Sequence, residues 1–114
     1  MADNMKKIHV VSSRDIKKAV HKIAENFNPE KVILFGSYAH GKPSAESDVD
    51  LLVIKKVTKS NWETGAEISL MLKHSFPIDI IVKSPAELEK RIRRGDFFLK
   101  DILENGKVLY EKTR

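Results

Sequence analysis

Three short apolar runs limit the folds open to this chain: Val32 to Phe35, Asp50 to Ile54 once its leading acid is set aside, and Ile78 to Val82. Runs of four or five residues rich in Val and Ile are too short to bury a helix stripe and suit buried strands. Two of the runs carry acids. Asp48 and Asp50 flank Val49 at the mouth of the second, and Asp79 sits inside the third. The first stops abruptly at Gly36-Ser37. Unpaired carboxylates beside a core are costly, so something outside the packing must offset them.

Helical patterns separate the runs. Ser12 or Ser13 can cap a helix whose stripe is Ile16, Ala19, Val20, Ile23, Ala24 and Phe27, ended by Asn28-Pro29. Residues 37–47 read as a turn, with one helical turn after Ser37, and then a Gly/Pro/Ser loop. Trp62 to Ser75 is helical by length and propensity, with Ile68, Met71 and Leu72 inward and Trp62 anchoring it to the sheet. Ser84-Pro85-Ala86-Glu87 is a helix start, with a capping serine, proline at the first helical position and a glutamate behind it. A break near Gly95-Asp96 precedes a helix carrying Phe98, Ile102 and Leu103, which Asn105-Gly106 stops. Val108 to Tyr110 adds a short last strand. The pattern predicts an α/β fold, with residues 1–114 as a single domain lacking repeats or linkers.

Composition removes several function classes. The chain has no cysteine, which excludes disulfides, thiolate zinc sites and cysteine nucleophiles. No apolar run approaches the roughly 20 residues of a membrane span, and residues 1–7 lack the apolar core of a secretory signal. A cytoplasmic protein without membrane contact is the expectation. Net charge is +5, with basic groups at Lys17-Lys18-His21-Lys22, Lys55-Lys56-Lys59 and Lys90-Arg91-Arg93-Arg94. These suit solvated faces or attraction to phosphate. Nucleic acid is disfavoured, because no aromatic stacking residues accompany the last cluster.

The acids carry the chemistry. Asp48 and Asp50 are two residues apart, so extended backbone puts both on one face. Asp79 reaches the same point if its strand is a neighbour. Convergent carboxylates need a cation between them, and hard oxygen donors suit Mg2+. A glycine at a strand end lets backbone approach a ligand, and the N–H groups that follow can face phosphate, helped by the Ser37 hydroxyl. Phosphate binding on one side and metal-holding acids on the other make a site for a nucleoside triphosphate with Mg2+; two ions can bridge attacking and leaving oxygens. Each part has an ordinary reading too: Gly-Ser as a plain turn, Asp48 and Asp50 as solvated or capping groups, Asp79 as an edge charge that discourages aggregation.

Gly36-Ser37, ten residues, then Asp48-Val49-Asp50 resembles the GS-x10-D-x-D signature of the DNA polymerase β-like nucleotidyltransferase superfamily. The whole stretch "LFGSYAHGKPSAESDVDLLV" and the later "PIDIIV" look like its minimal nucleotidyltransferase (MNT) branch, over roughly residues 12–110. The resemblance implies a mixed, twisted sheet flanked by helices, with the site at one sheet edge. It makes Gly36 and Ser37 the triphosphate-binding turn, Asp48 and Asp50 ligands of two Mg2+ ions, and Asp79 a third ligand that helps deprotonate the acceptor. ATP is the implied substrate.

Larger relatives append a helical acceptor-binding domain that this chain has no room for. Members of the minimal branch are often encoded beside a helical HEPN protein, as antitoxin to its toxin, and transfer AMP to a tyrosine of that partner. The resemblance therefore implies a type VII-like antitoxin acting on a HEPN-type partner. A non-catalytic antitoxin that binds nucleotide and neutralises its partner by contact is the alternative. The oligomeric state stays open, a homodimer included. His9, His21, His40 and His74 show no metal-ligand spacing, Ser12, Ser13 and Ser84 read as caps, and Tyr38 receives no role.

Overall fold

The computed structural model describes residues 10–56, 59–72 and 76–113. Its elements in chain order are α1 (Ser13–Phe27), β1 (Lys31–Phe35), β2 (Val49–Ile54), α2 (Asn61–Leu72), β3 (Ile78–Lys83), α3 (Pro85–Arg93), α4 (Phe97–Asn105) and β4 (Lys107–Glu111). The strands form one mixed sheet in the order β3-β2-β1-β4. β1 pairs antiparallel with both β2 and β4, whereas β2 and β3 run parallel. A parallel neighbour needs a crossover, and α2 supplies it.

Helices cover both faces of the sheet, as a sheet apolar on both sides requires. On one face Val32, Leu34, Val49, Leu51, Val53 and Val82 pack against Ile16, Val20 and Ile23 of α1 and Ile68 and Leu72 of α2. On the other, Ile33, Leu52 and Ile54 meet Leu88 of α3 and Leu99 and Ile102 of α4. Strand side chains alternate, so Asp50 belongs to this second face with Leu52 and Ile54.

Local chemistry sets the helix ends. Ser12 Oγ accepts from the Asp15 N–H at 3.1 Å and caps α1; Asn28 closes it in a left-handed conformation at φ 49°. Ser84 caps α3 through the Glu87 N–H at 3.1 Å, and Asp96 caps α4 through the Leu99 N–H at 3.0 Å. The inward residues of α1 follow the predicted stripe. In α4, Leu99 and Ile102 are buried, while Phe98 and Leu103 are exposed. Trp62 does not anchor α2. It is 80% exposed, and Thr64, Ile68 and Leu72 make the helix's buried contacts instead. The predicted end of that helix at Ser75 lies outside the described residues.

Gly106 ends α4 for a reason other than backbone handedness, since its φ is −74°. A Cβ there would stand 2.6 Å from the Ile102 carbonyl oxygen, 2.6 Å from Ile33 Cγ2 and 3.0 Å from the Leu34 carbonyl oxygen. The missing side chain lets α4 turn into β4 directly against β1. Two of those three atoms are backbone and cannot rotate away, so Gly106→Ala should cost about 1–3 kcal/mol of stability by overpacking. Urea unfolding checks this; an unchanged midpoint would contradict the close approach.

Candidate active site

β1 delivers the chain to the site and Gly36 turns it. Gly36 has φ 79°, a region that L side chains disfavour. Its carbonyl accepts from the Ala39 and His40 N–H groups at 3.0 and 3.2 Å, which winds residues 37–40 into one helical turn. The first N–H groups of such a turn have no acceptor within it, and they gather at Ser37. Tyr38 is structural: it is buried, and its hydroxyl accepts from the Val11 N–H at 2.9 Å. It ties the turn to the chain ahead of α1.

Gly36 is also the neighbour of an acid. Phe35 stands opposite Asp50 across the β1–β2 pair. A Cβ on Gly36 would collide with Asp50 Oδ2 and lie 3.4 Å from Asp50 Cγ. Glycine therefore suits this position by φ, and its missing side chain leaves the Asp50 carboxylate its place. On the other side, Asp50 stands in register with Asp79 of β3. Asp48 precedes β2 by one residue and, two positions from Asp50, shares its face. The chain thus brings together the turn and the three acids singled out above, with Asp79 on the edge strand.

Electrostatics records the crowding. Asp50 is half-buried while Asp48 and Asp79 are exposed. Burial, and then the charges of Asp79 and Asp48, push the Asp50 carboxyl up from 3.8 to about 6. Each of these effects disfavours the anion. Among the described residues no basic side chain contributes to the shift, so the site carries crowded negative charge beside the Gly36-Ser37 turn.

Residues 17–114 match the family model described as Polymerase beta, Nucleotidyltransferase. The chain belongs to this nucleotidyltransferase family. Over 81 residues it is 38% identical to a candidate protein adenylyltransferase of Methanocaldococcus jannaschii, covering 71% of this chain and 78% of the relative. Its fold is similar to the crystal structure of a candidate nucleotidyltransferase from Sulfolobus solfataricus, with TM-score 0.60, 22% identity and coverage of 87% and 79% of the two chains. It is also similar to a toxin–antitoxin crystal structure with AMP-PNP, with TM-score 0.54, 21% identity and coverage of 85% and 74%.

The donor set of this nucleotidyltransferase fits Mg2+. Among the described residues no three acidic or histidine side chains are grouped tightly enough to cage an ion by themselves. Mg2+ does not ask for that: it binds through one or two carboxylates and completes its shell with water and substrate phosphates. His21 and His40 are exposed, His21 facing Glu25 at 3.2 Å; His9 and His74 lie outside the described residues. The basic clusters are partly spent on ion pairs, Lys59 with Glu67 at 2.7 Å, Arg91 with Asp96 at 2.9 Å and Arg93 with Glu89 at 3.6 Å. No described helix is long and apolar enough to cross a membrane.

The raised Asp50 has a defined pH signature. Between pH 3.8 and about 6 the folded protein keeps a proton that the unfolded chain has released. The native state then binds more protons, so stability falls as pH rises through that window. Carboxyl titration by NMR in metal-free buffer should place the Asp50 midpoint near 6, and lower in Asp79→Asn. Asp50→Asn should melt higher than the parent at pH 8, with the gap closing near pH 4. A midpoint near 4 in the parent would contradict the crowding.

Proposed function

We propose that this nucleotidyltransferase moves AMP from ATP to a protein hydroxyl, a tyrosine of a HEPN-type partner, and thereby acts as the antitoxin of a toxin–antitoxin pair. The observation that carries the reading is Asp50, held between Gly36 and Asp79 with its carboxyl pushed up to about 6. Strained charge of this kind at a strand end has no packing benefit and suits a site completed by a cation and a triphosphate. The M. jannaschii relative named for protein adenylylation and the toxin–antitoxin neighbour with AMP-PNP support the choice of acceptor and nucleotide.

In this reading Gly36 and Ser37 hold the triphosphate through backbone N–H groups and the serine hydroxyl. Asp48 and Asp50 would hold two Mg2+ ions, and Asp79 would join them as a third donor. Bound Mg2+ neutralises the phosphates and stabilises charge on the entering and leaving oxygens. The acceptor oxygen attacks the α-phosphorus, the bond to the β-phosphate's bridging oxygen breaks, and pyrophosphate leaves. Asp79 takes the hydroxyl proton, which its open position on the edge strand allows. The whole chain, residues 1–114, is proposed as one minimal catalytic domain, working in the cytoplasm where ATP is plentiful.

Intact-mass spectrometry of the mixed proteins with ATP and Mg2+ tests this. The partner should gain one or more adenylyl groups, lost when its tyrosine is replaced by phenylalanine. Asp50→Asn and Asp79→Asn should lower the rate by orders of magnitude, because each removes charge at the transferring phosphorus, while melting stays cooperative. An unmodified partner still neutralised in a stable complex would overturn the reading in favour of the contact-only antitoxin.

A further inference from the structure

β3 is an open edge of the sheet, and its free side is chemically equipped. The Val49 and Lys55 N–H groups donate to the carbonyls of Pro77 and Lys83, both at 3.0 Å. In a parallel pair this alternation turns the odd-numbered residues of β3 toward β2 and directs the N–H and C=O groups of Ile78, Ile80 and Val82 outward. Among the described residues no strand pairs with that side. A groove of about 420 Å3 follows it, walled by β3 on one side and by α2 on the other. Gly65 of α2 lines the groove beside this edge: a Cβ there would lie 3.6 Å from the Ile80 carbonyl oxygen, an ordinary van der Waals contact.

The groove has two distinct ends. Asn61, at the start of α2, donates a hydrogen bond to Glu87, in the first turn of α3. This places the start of α2, and with it Trp62, at the Lys83 end of β3. Trp62 lines the groove and is 80% exposed, an apolar surface that nothing in the described residues covers. At the opposite end the groove reaches Asp79, which is one of its walls and also one of the clustered acids. From Asp79 to Lys83 is four residues, about 13 Å of strand.

We infer that this groove binds an extended segment of the acceptor protein, which adds to the β3 edge as a further strand and presents its hydroxyl side chain beside Asp79. The inference rests on the proposed transfer to a protein hydroxyl. Outward backbone groups at alternate residues ask for another strand. Side chains in register across a sheet stand about 4.8 Å apart, so a residue opposite Asp79 continues the row formed by Asp50 and Asp79. Residues of the segment that point to the other face fill the space beside Gly65, and an apolar one near its far end covers Trp62. The edge supplies binding energy and register without sequence-specific contacts, and the row delivers the oxygen to the acid that takes its proton.

Backbone amide hydrogen exchange on the complex of this chain, the HEPN-type acceptor and AMP-PNP tests the inference directly. The Ile80 and Val82 amides should slow at least tenfold relative to the protein with AMP-PNP alone. Ile80→Pro removes one outward donor while sparing the pairing to β2; it should raise KM for the acceptor protein at least tenfold with AMP-PNP affinity unchanged. Trp62→Ala should move KM the same way and leave kcat within twofold. Unchanged exchange at Ile80 and Val82 in a complex that still transfers AMP would overturn the edge site and leave the proposed activity standing. Protection of the same amides that grows with concentration in the chain alone would assign the edge to a second copy and also overturn it. Absence of any transfer to the acceptor would refute the proposed function, and this inference with it.

Discussion

The parallel pairing of β2 with β3 is the constraint on which the site depends. It sets Asp79 beside Asp50 in register, and the antiparallel pairing of β1 with β2 sets Gly36 against the other side of the same carboxylate. Neither pairing could shift by one residue without turning a whole apolar set to the wrong face. The two cores therefore lock the acids in place: Leu51 and Val53 are held under α1 and α2, Leu52 and Ile54 under α3 and α4. Packing makes the like charges stay together, although their own interaction pushes them apart.

That repulsion separates function from stability in this fold. Asp50 would be more comfortable neutral or replaced: burial first, and then the charges of Asp79 and Asp48, push its carboxyl up to about 6. In the proposed reaction a cation and a triphosphate would change the balance, with the carboxylates serving as donors and the turn at Ser37 as an anion receptor. Placing the cluster at the end of the strands, with Asp48 and Asp79 exposed, keeps those acids reachable.

Much of this was legible in the sequence, and the reasons differ by element. The stripe of α1 is regular enough that Ile16, Ala19, Val20 and Ile23 could be read as inward, and all are buried. The capping residues Ser12 and Ser84 were readable because their chemistry is local. α2 has no such stripe, so its orientation is decided by β3, and Trp62 turned outward against expectation. In α4 five apolar residues, Phe97, Phe98, Leu99, Ile102 and Leu103, point in several directions, and only the surface offered by β1 and β2 selects Leu99 and Ile102. Strand order and the parallel β2–β3 pair are non-local and left no mark on spacing. The acids and the Gly-Ser turn were readable as a motif; that Gly36 makes room for Asp50 itself, and that Tyr38 fastens the turn through Val11, needed three dimensions.

The central claim is that a cation and a triphosphate relieve the strain held at Asp50, and proton release on binding measures this most directly. Mg2+ and AMP-PNP can be titrated into the protein calorimetrically at pH 6, in buffers of different ionisation enthalpy. With its carboxyl at about 6, Asp50 is about half protonated there, and ligation by metal must expel that proton. Release of about half a proton per site at pH 6, falling toward zero at pH 8 after correction for the nucleotide's own ionisation and absent in Asp50→Asn, is the predicted result. Tight binding with no proton released from the parent protein at pH 6 would contradict the account.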